Sequence, residues 1–179
     1  MKKLVLLVSV VVLGISAGFS QLSVSANPGL SVFTPQDKLT ASSISNFAMI
    51  KADYKLNDRY FVGLGFGTFS QALDSGLQVS YLSIPLSVGV DLPGETITPV
   101  VDLGYNLRLS TKFVGGTSSN FFVHSLHWRM GVELNTGKQT FTTIGLSGNY
   151  DLSTNSILTG VKGSSINLFV GFGVRLGKK

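Results

Sequence analysis

The sequence contains no cysteine, few charged residues and, beyond its first twenty positions, no long apolar run. Without cysteine there can be no disulfide framework, thiolate metal site, iron–sulfur cluster or cysteine nucleophile. Charged residues make up 13% of the 179 positions, about half of the roughly 25% found in ordinary soluble domains. No stretch after residue 20 approaches the roughly 18 apolar residues of a membrane-spanning helix. These scarcities disfavour a soluble helical enzyme and exclude a helical membrane protein.

The amino terminus has the pattern of a secretory signal peptide. Lys2 and Lys3 precede an apolar run from Leu4 to Leu13, and small residues follow up to Ser20. We predict cleavage between Ser20 and Gln21. An uncleaved anchor helix is disfavoured because the apolar run is too short to span a bilayer comfortably.

The predicted cleavage divides the chain into a signal peptide, 1–20, and one domain, 21–179. Loss of the two leading lysines lowers the formal charge from +5 to +3, with 12 basic and 9 acidic residues remaining. The remaining basic residues are dispersed, whereas nucleic-acid binding requires a clustered basic face. We therefore expect no nucleic-acid partner.

The exported domain shows alternation of apolar and polar residues with a period of two and no helical stripe. Glycine is abundant, with 21 residues. Eight segments of about 11 to 16 residues alternate in this way: Leu22 to Phe33, Ser43 to Leu56, Tyr60 to Ser70, Leu77 to Leu92, Ile97 to Ser110, Phe122 to Leu134, Thr140 to Leu152 and Ser165 to Gly177.

Three features favour a membrane barrel over a soluble sandwich. The segments are longer than the usual five or six residues and suit a tilted crossing of a bilayer. Short connections follow the second, fourth and sixth segments, and longer ones follow the others. Gly63, Gly65 and Gly67 lie on the polar face, where a narrow interior needs small residues. The sequence predicts an all-β fold, an eight-stranded antiparallel up-and-down transmembrane β-barrel.

Charged residues repeatedly alternate with the aliphatic ones and are therefore predicted to face the interior. Such charges must pair, because an isolated buried charge costs several kcal/mol. Tyr54 and Tyr60 flank the first short turn and are predicted to form part of an aromatic girdle. The predicted interior polar network comprises Lys51, Asp53, Lys55, Asp91, Asp102, Arg108, His127, Arg129, Glu133, Asp151 and Arg175.

Two segments carry a family resemblance. Tyr81-Leu82-Ser83-Ile84-Pro85-Leu86 and Thr98-Pro99-Val100-Val101-Asp102-Leu103-Gly104-Tyr105 resemble strands of small outer-membrane β-barrel proteins of the porin-family or PorT-like type of Bacteroidetes, which are akin in architecture to OmpX and OmpA. The resemblance implies insertion in outer-membrane lipid by the barrel-assembly machinery. The sequence departs from the family pattern in two places. Where the family has a closing aromatic residue, Arg175-Leu176-Gly177-Lys178-Lys179 follows Phe172. Pro85 lies inside a predicted strand and predicts a bulge or break in the ladder.

The function favoured by these observations is a structural or surface-interaction role without catalysis, with an interior plugged by side chains. One alternative is a lipid A deacylase-like enzyme using His124 or His127 with Ser125, although adjacent strand residues point to opposite faces. A second alternative is a periplasmic lipocalin-like barrel whose aliphatic face surrounds an apolar ligand. We expect no cofactor or metal and a monomer, while a ligand of the external loops is left unidentified.

Overall fold

The computed structural model describes residues 22–35, 42–72, 78–92, 94–114, 122–154 and 162–176. These residues form one closed antiparallel barrel in which neighbours in sequence are neighbours in space, and the first strand pairs with the last. The predicted fold class is confirmed. The strands are β1 (Leu22–Pro35), β2 (Ser43–Lys55), β3 (Tyr60–Ala72), β4 (Gln78–Asp91), β5 (Ile97–Val114), β6 (Phe122–Asn135), β7 (Thr140–Thr154) and β8 (Gly163–Leu176).

Each predicted segment corresponds to one strand, and the differences of more than one residue lie at one end of the barrel. We call the end with the short connections after β2, β4 and β6 the short-turn end, and the other the long-loop end. At the long-loop end β5 extends to Val114 rather than Ser110, and β7 extends to Thr154 rather than Leu152. These extensions, Thr111 to Val114 and Ser153 to Thr154, do not alternate between apolar and polar residues, so periodicity misses them. The predicted signal peptide lies outside the described residues.

The register of the strands sets the size of the barrel. Following directly paired residues once around the barrel from Leu22 leads to Val32, ten residues further along β1. This stagger corresponds to a strand tilt of about 40° and a backbone radius of about 8 Å, given the usual strand spacing and rise. The path runs through Leu22, Tyr54, Val62, Val88, Leu103, Trp128, Gly148, Ile166 and Val32.

Proline interrupts the hydrogen-bonded ladder at two places. Between β3 and β4 the pairing steps from Leu64↔Leu86 to Gly67↔Ser83, across Pro85, without a change of register. The predicted irregularity at Pro85 is therefore a break and not a bulge. A similar step, which the sequence pattern did not predict, occurs across Pro28 in the pairing of β1 with β8. Proline lacks the N–H that a ladder requires.

Polarity is inverted relative to a soluble protein. On β8 the residues Leu176, Val174, Phe172, Val170, Leu168 and Ile166 are all exposed, by 40% to 67%. The intervening positions from Ser165 to Gly173 are buried. The apolar band on β8 spans ten residues, which at this tilt is about 25 Å, the usual height of the apolar belt of outer-membrane barrels. Within the ranges described above, no helix is long and apolar enough to cross a membrane.

Candidate functional site

A closed ring of four alternating charges crosses the middle of the barrel. Lys51 Nζ lies 2.6 Å from Asp53 Oδ1 and 2.8 Å from Asp102 Oδ2. Arg129 closes the ring, with Nη2 lying 3.1 Å from Asp53 Oδ2 and Nε lying 2.5 Å from Asp102 Oδ2. The four side chains are at most 10% exposed. We call this set the charge ring. It joins β2 to β5 and β6 and obstructs the lumen.

Glycines on neighbouring strands make room for the charge ring. A Cβ at Gly63 would collide with the side chains of Asp53 and Lys51, and one at Gly89 would collide with the ring of Phe61. The Phe61 ring centre lies 5.0 Å from Lys51 Nζ and 5.8 Å from Arg129 Cζ, within cation–π range. Inward glycine therefore allows charged and aromatic side chains to share a narrow interior.

Two further ion pairs lie at the short-turn end. Lys55 Nζ is 2.6 Å from Asp91 Oδ2, and the lysine side chain is 33% exposed. Arg175 donates to Glu133 Oε2 at 2.8 Å and to Asn135 Oδ1 at 2.8 Å, with its guanidinium 4.6 Å from the ring centre of Phe141. These pairs reach water, unlike the charge ring.

The remaining ion pair lies beneath the long-loop end and is sealed by aromatic rings. The Arg108 guanidinium pairs with Asp151 and donates to Ser125 Oγ at 3.0 Å. Its Cζ lies 5.4 Å from the ring centre of Phe69 and 5.3 Å from that of Tyr81. Phe69 and Tyr81 belong to a buried cluster with Phe33, Val79 and Val123. An apolar cluster therefore covers this ion pair.

An uncharged polar layer lies between the charge ring and the Arg108–Asp151 pair. Asn106 Nδ2 donates to Asn149 Oδ1 at 2.7 Å, and Asn149 Nδ2 donates to Ser165 Oγ at 3.2 Å. His127 Nδ1 lies 3.2 Å from the same Asn149 oxygen, while its Nε2 lies 3.8 Å from Asp102 Oδ1. Amides and hydroxyls thus link the two charged layers.

The structure places all eleven predicted interior residues on the inner face of the barrel. Five are cations, five are carboxylates, and every cation lies beside a carboxylate at its own level. A cavity of about 10 Å³ is lined by His127, Arg129 and Ser147 among others. A space of that size accommodates about one water molecule. The arrangement can brace the barrel, and it offers no path through the described interior.

Sequence reasoning underestimated the aromatic share of the interior. Several inward rings face an inward glycine directly across the ladder, as in Phe61↔Gly89 and Phe141↔Gly173. A Cβ at either glycine would collide with the opposing ring. The shared parity of phenylalanine and the charged residues is the pattern that indicates this arrangement. The buried inward phenylalanines are Phe33, Phe47, Phe61, Phe69, Phe141 and Phe169.

The histidines and serine of the enzymatic alternative are not brought together. Ser125 is buried inside, where its hydroxyl donates to Asp151 Oδ1 at 2.9 Å. His127 is also inside and is directed to Asn149. His124 is on the outer face, hydrogen-bonded through Nδ1 to the phenol of Tyr105. The hydroxyl of Ser125 is thus directed at a carboxylate and not at an imidazole base.

Aromatic residues mark both edges of the apolar belt. At the short-turn end Tyr60 is 54% exposed and Tyr54 is half-buried. At the long-loop end the outward polar aromatic residues are Tyr105, His124 and Tyr150.

In the described ranges no three His, Asp or Glu side chains converge as a metal site would require.

Comparisons with known proteins establish the fold. No protein-family profile matches the sequence, and no curated protein matches it. Neisserial surface protein A is 20% identical with a TM-score of 0.73, over 87% of this chain and 97% of that one. The outer membrane protein OprG from Pseudomonas aeruginosa is 14% identical with a TM-score of 0.59, over 87% and 95%. Ail, the attachment invasion locus protein of Yersinia pestis, is 18% identical with a TM-score of 0.53, over 86% and 98%. The chain thus shares the eight-stranded fold of small outer-membrane barrels.

Proposed function

We propose that the protein is a non-catalytic outer-membrane β-barrel with a structural or surface-interaction role. The observation that carries this proposal is the inversion of polarity. An apolar band about 25 Å high encircles the outside, and ten charged side chains are paired inside. Such a surface is stable when lipid and not water surrounds it.

The inversion contradicts the lipocalin-like alternative. That alternative requires the aliphatic face to point inward around a ligand and the charged face to meet water. Here Leu103, Leu86 and Phe172 are 60% or more exposed on the outside. Lys51 and Arg108 are each 1% exposed, inside the barrel. Placing those charges in the interior is favourable only because each has a carboxylate partner.

The filled interior supports a scaffold rather than a transporter or an enzyme. The charge ring and the aromatic cluster each close the lumen at a different level. An eight-stranded barrel has little more space than its own side chains occupy. Because Ser125 is buried beside Asp151, it is poorly placed for attack on a lipid ester at the outer face. Any recognition by this protein would therefore use its outer surface and long loops.

The remaining parts of the proposal concern placement in the cell. With eight strands, β1 begins and β8 ends at the short-turn end, which in outer-membrane barrels faces the periplasm. We propose export through a signal peptide cleaved after Ser20, insertion by the barrel-assembly machinery, and a monomeric state. The kinship with Bacteroidetes porin-family barrels is likewise part of the proposal and rests on the two sequence segments given above.

Trp128 provides a direct test because it is the only tryptophan. Trp128 lies on the same face of β6 as Leu126 and Met130, which are 51% and 49% exposed on the outer face. Reconstitution into phosphatidylcholine vesicles with brominated acyl chains should quench its fluorescence strongly. The folded protein should also migrate differently on dodecyl sulfate gels before and after boiling. A protein that is folded and monomeric without detergent, with Trp128 unquenched, would refute the proposal.

A further inference from the structure

One sector of the outer surface, on β5 to β8, carries polar side chains at the long-loop edge of the apolar belt. Tyr105 and Tyr150 are 42% and 51% exposed, and both are paired across the ladder with Leu126 of β6. His124 is half-buried on the same face, and Lys162 is exposed just before β8. Leu126 lies between the two tyrosines. We call the side chains of Tyr105, Tyr150, His124 and Lys162 the rim patch.

The level of the rim patch follows from the register. On β8 the apolar series ends at Ile166, and the next outward position is Ser164. Ser164 pairs with Tyr150, so Tyr150 lies at the upper edge of the belt. His124 is two residues nearer the long-loop end of β6 than Leu126. At this depth, side chains meet lipid headgroups and not acyl chains.

The bond between Tyr105 and His124 orients the imidazole. The phenol oxygen of Tyr105 contacts His124 Nδ1, and the two ring centres are 5.9 Å apart. When the phenol donates this hydrogen bond, Nδ1 is the acceptor and the neutral imidazole carries its hydrogen on Nε2. His124 then presents an N–H on the side away from Tyr105, toward β7.

Lys162 supplies a positive charge on that side. Its Nζ donates to the Leu152 carbonyl of β7 at 2.9 Å. The register shift between β6 and β7 lies at His124 and Ser125, opposite Leu152. The ammonium is therefore held against β7, the strand that pairs with the strand of His124. The nearby carboxylate of Asp151, which also interacts electrostatically with Lys162, points inward and pairs with Arg108. Of the three N–H groups of the ammonium, one donates to Leu152, which leaves two that, among the described residues, can face an anion.

We propose that His124 and Lys162 bind the phosphate of an anionic phosphomonoester lipid headgroup, whose acyl chains lie over Leu126 and Trp128. The inference rests on the membrane insertion proposed above. On β1 to β3 the outward polar residues at this edge are neutral: Thr34, Asn46 and Thr68. Among the described side chains at this rim, the ammonium of Lys162 and the imidazole of His124 thus occur together in the sector of β5 to β8. Phosphate favours such a pair of donors because it accepts several charge-assisted hydrogen bonds.

The test compares two brominated lipids as quenchers of Trp128, which is four residues from His124 on the same strand. The protein is reconstituted in vesicles containing either brominated phosphatidylcholine or brominated phosphatidic acid. One cation near a membrane surface changes the affinity for an anionic headgroup by about fivefold. We expect phosphatidic acid to be preferred by about that factor in the native protein, and Lys162→Gln to remove most of the preference. Tyr105→Phe should weaken it, because the imidazole is no longer oriented.

Lys138→Gln is the matched control, since Lys138 is an exposed lysine in a turn at the opposite end of the barrel. It should leave the preference unchanged, and heat-dependent gel mobility should confirm that each variant is folded. Equal quenching by the two lipids in the native protein, or an unchanged preference in Lys162→Gln, would overturn the headgroup site while leaving membrane insertion intact. Loss of the preference in excess inorganic phosphate would show that the site recognises the phosphate group itself, whereas a preference that persists would show that it requires the lipid. Absence of quenching by brominated phosphatidylcholine would instead overturn the proposed function.

Discussion

Removal of one charge from the charge ring is the most demanding test of the interior. Asp102 accepts from Lys51 Nζ at 2.8 Å and from Arg129 Nε at 2.5 Å, and its side chain is fully buried. The change Asp102→Asn keeps the shape and removes the charge. It leaves two buried cations with Asp53 as the remaining carboxylate of the ring.

The expected destabilisation is about 3–5 kcal/mol, the usual cost of leaving a buried charge without its partner. That is a large part of the roughly 5–15 kcal/mol by which folded proteins are stable. Asp91→Asn should cost less, about 1 kcal/mol, because its partner Lys55 is 33% exposed and can turn to water. Asp58→Asn, in the exposed turn after β2, should have no measurable effect and serves as the control.

Stability can be measured by guanidinium unfolding in vesicles, with Trp128 fluorescence as the signal. Addition of Lys51→Met to Asp102→Asn restores the balance of one cation to one carboxylate, so the double variant should recover much of the loss. Asp102→Asn within 0.5 kcal/mol or so of the native protein would refute the reasoning, since surface substitutions have effects of about that size. An equal loss in Asp91→Asn would refute the argument from burial.

Other predictions concern packing, permeability, processing and catalysis. Gly63→Ala introduces a Cβ against Asp53 and Lys51, and should destabilise the barrel by about 1–3 kcal/mol in the same unfolding experiment. Vesicles containing the protein should not swell in sugar solutions, and swelling comparable to that caused by a porin would contradict the plugged interior. The mass of the protein purified from outer membranes should correspond to a chain that begins at Gln21, whereas an intact amino terminus would contradict cleavage. Lipid A from cells with and without the protein should show the same acyl pattern by mass spectrometry, and loss of an acyl chain would restore the enzymatic alternative.

Parity along single strands predicted a large part of this structure. A period of two assigns every residue of a strand to one of two faces, so Asp102 and Arg108 on β5 are necessarily on the same side. The count of alternating segments predicted eight strands, and the contrast between short and long connections agreed with an even number. The extensions of β5 and β7 were missed because they lack alternation and pair only with neighbouring strands. The break at Pro28 was missed because the effect of a proline depends on which of its two neighbours needs the N–H.

The sequence alone determined the strand number, the two faces of each strand and the residues with inward parity, because these are local properties of an alternating chain. The tertiary structure alone decided which charges meet. Lys51 and Asp102 are 51 residues apart, and only the ten-residue stagger of the closed barrel brings them to one level. Likewise, Lys162 and His124 belong to one sector only because β7, whose Leu152 carbonyl accepts from Lys162, pairs with the strand of His124. Partnerships across a barrel depend on register and curvature, which no single strand contains.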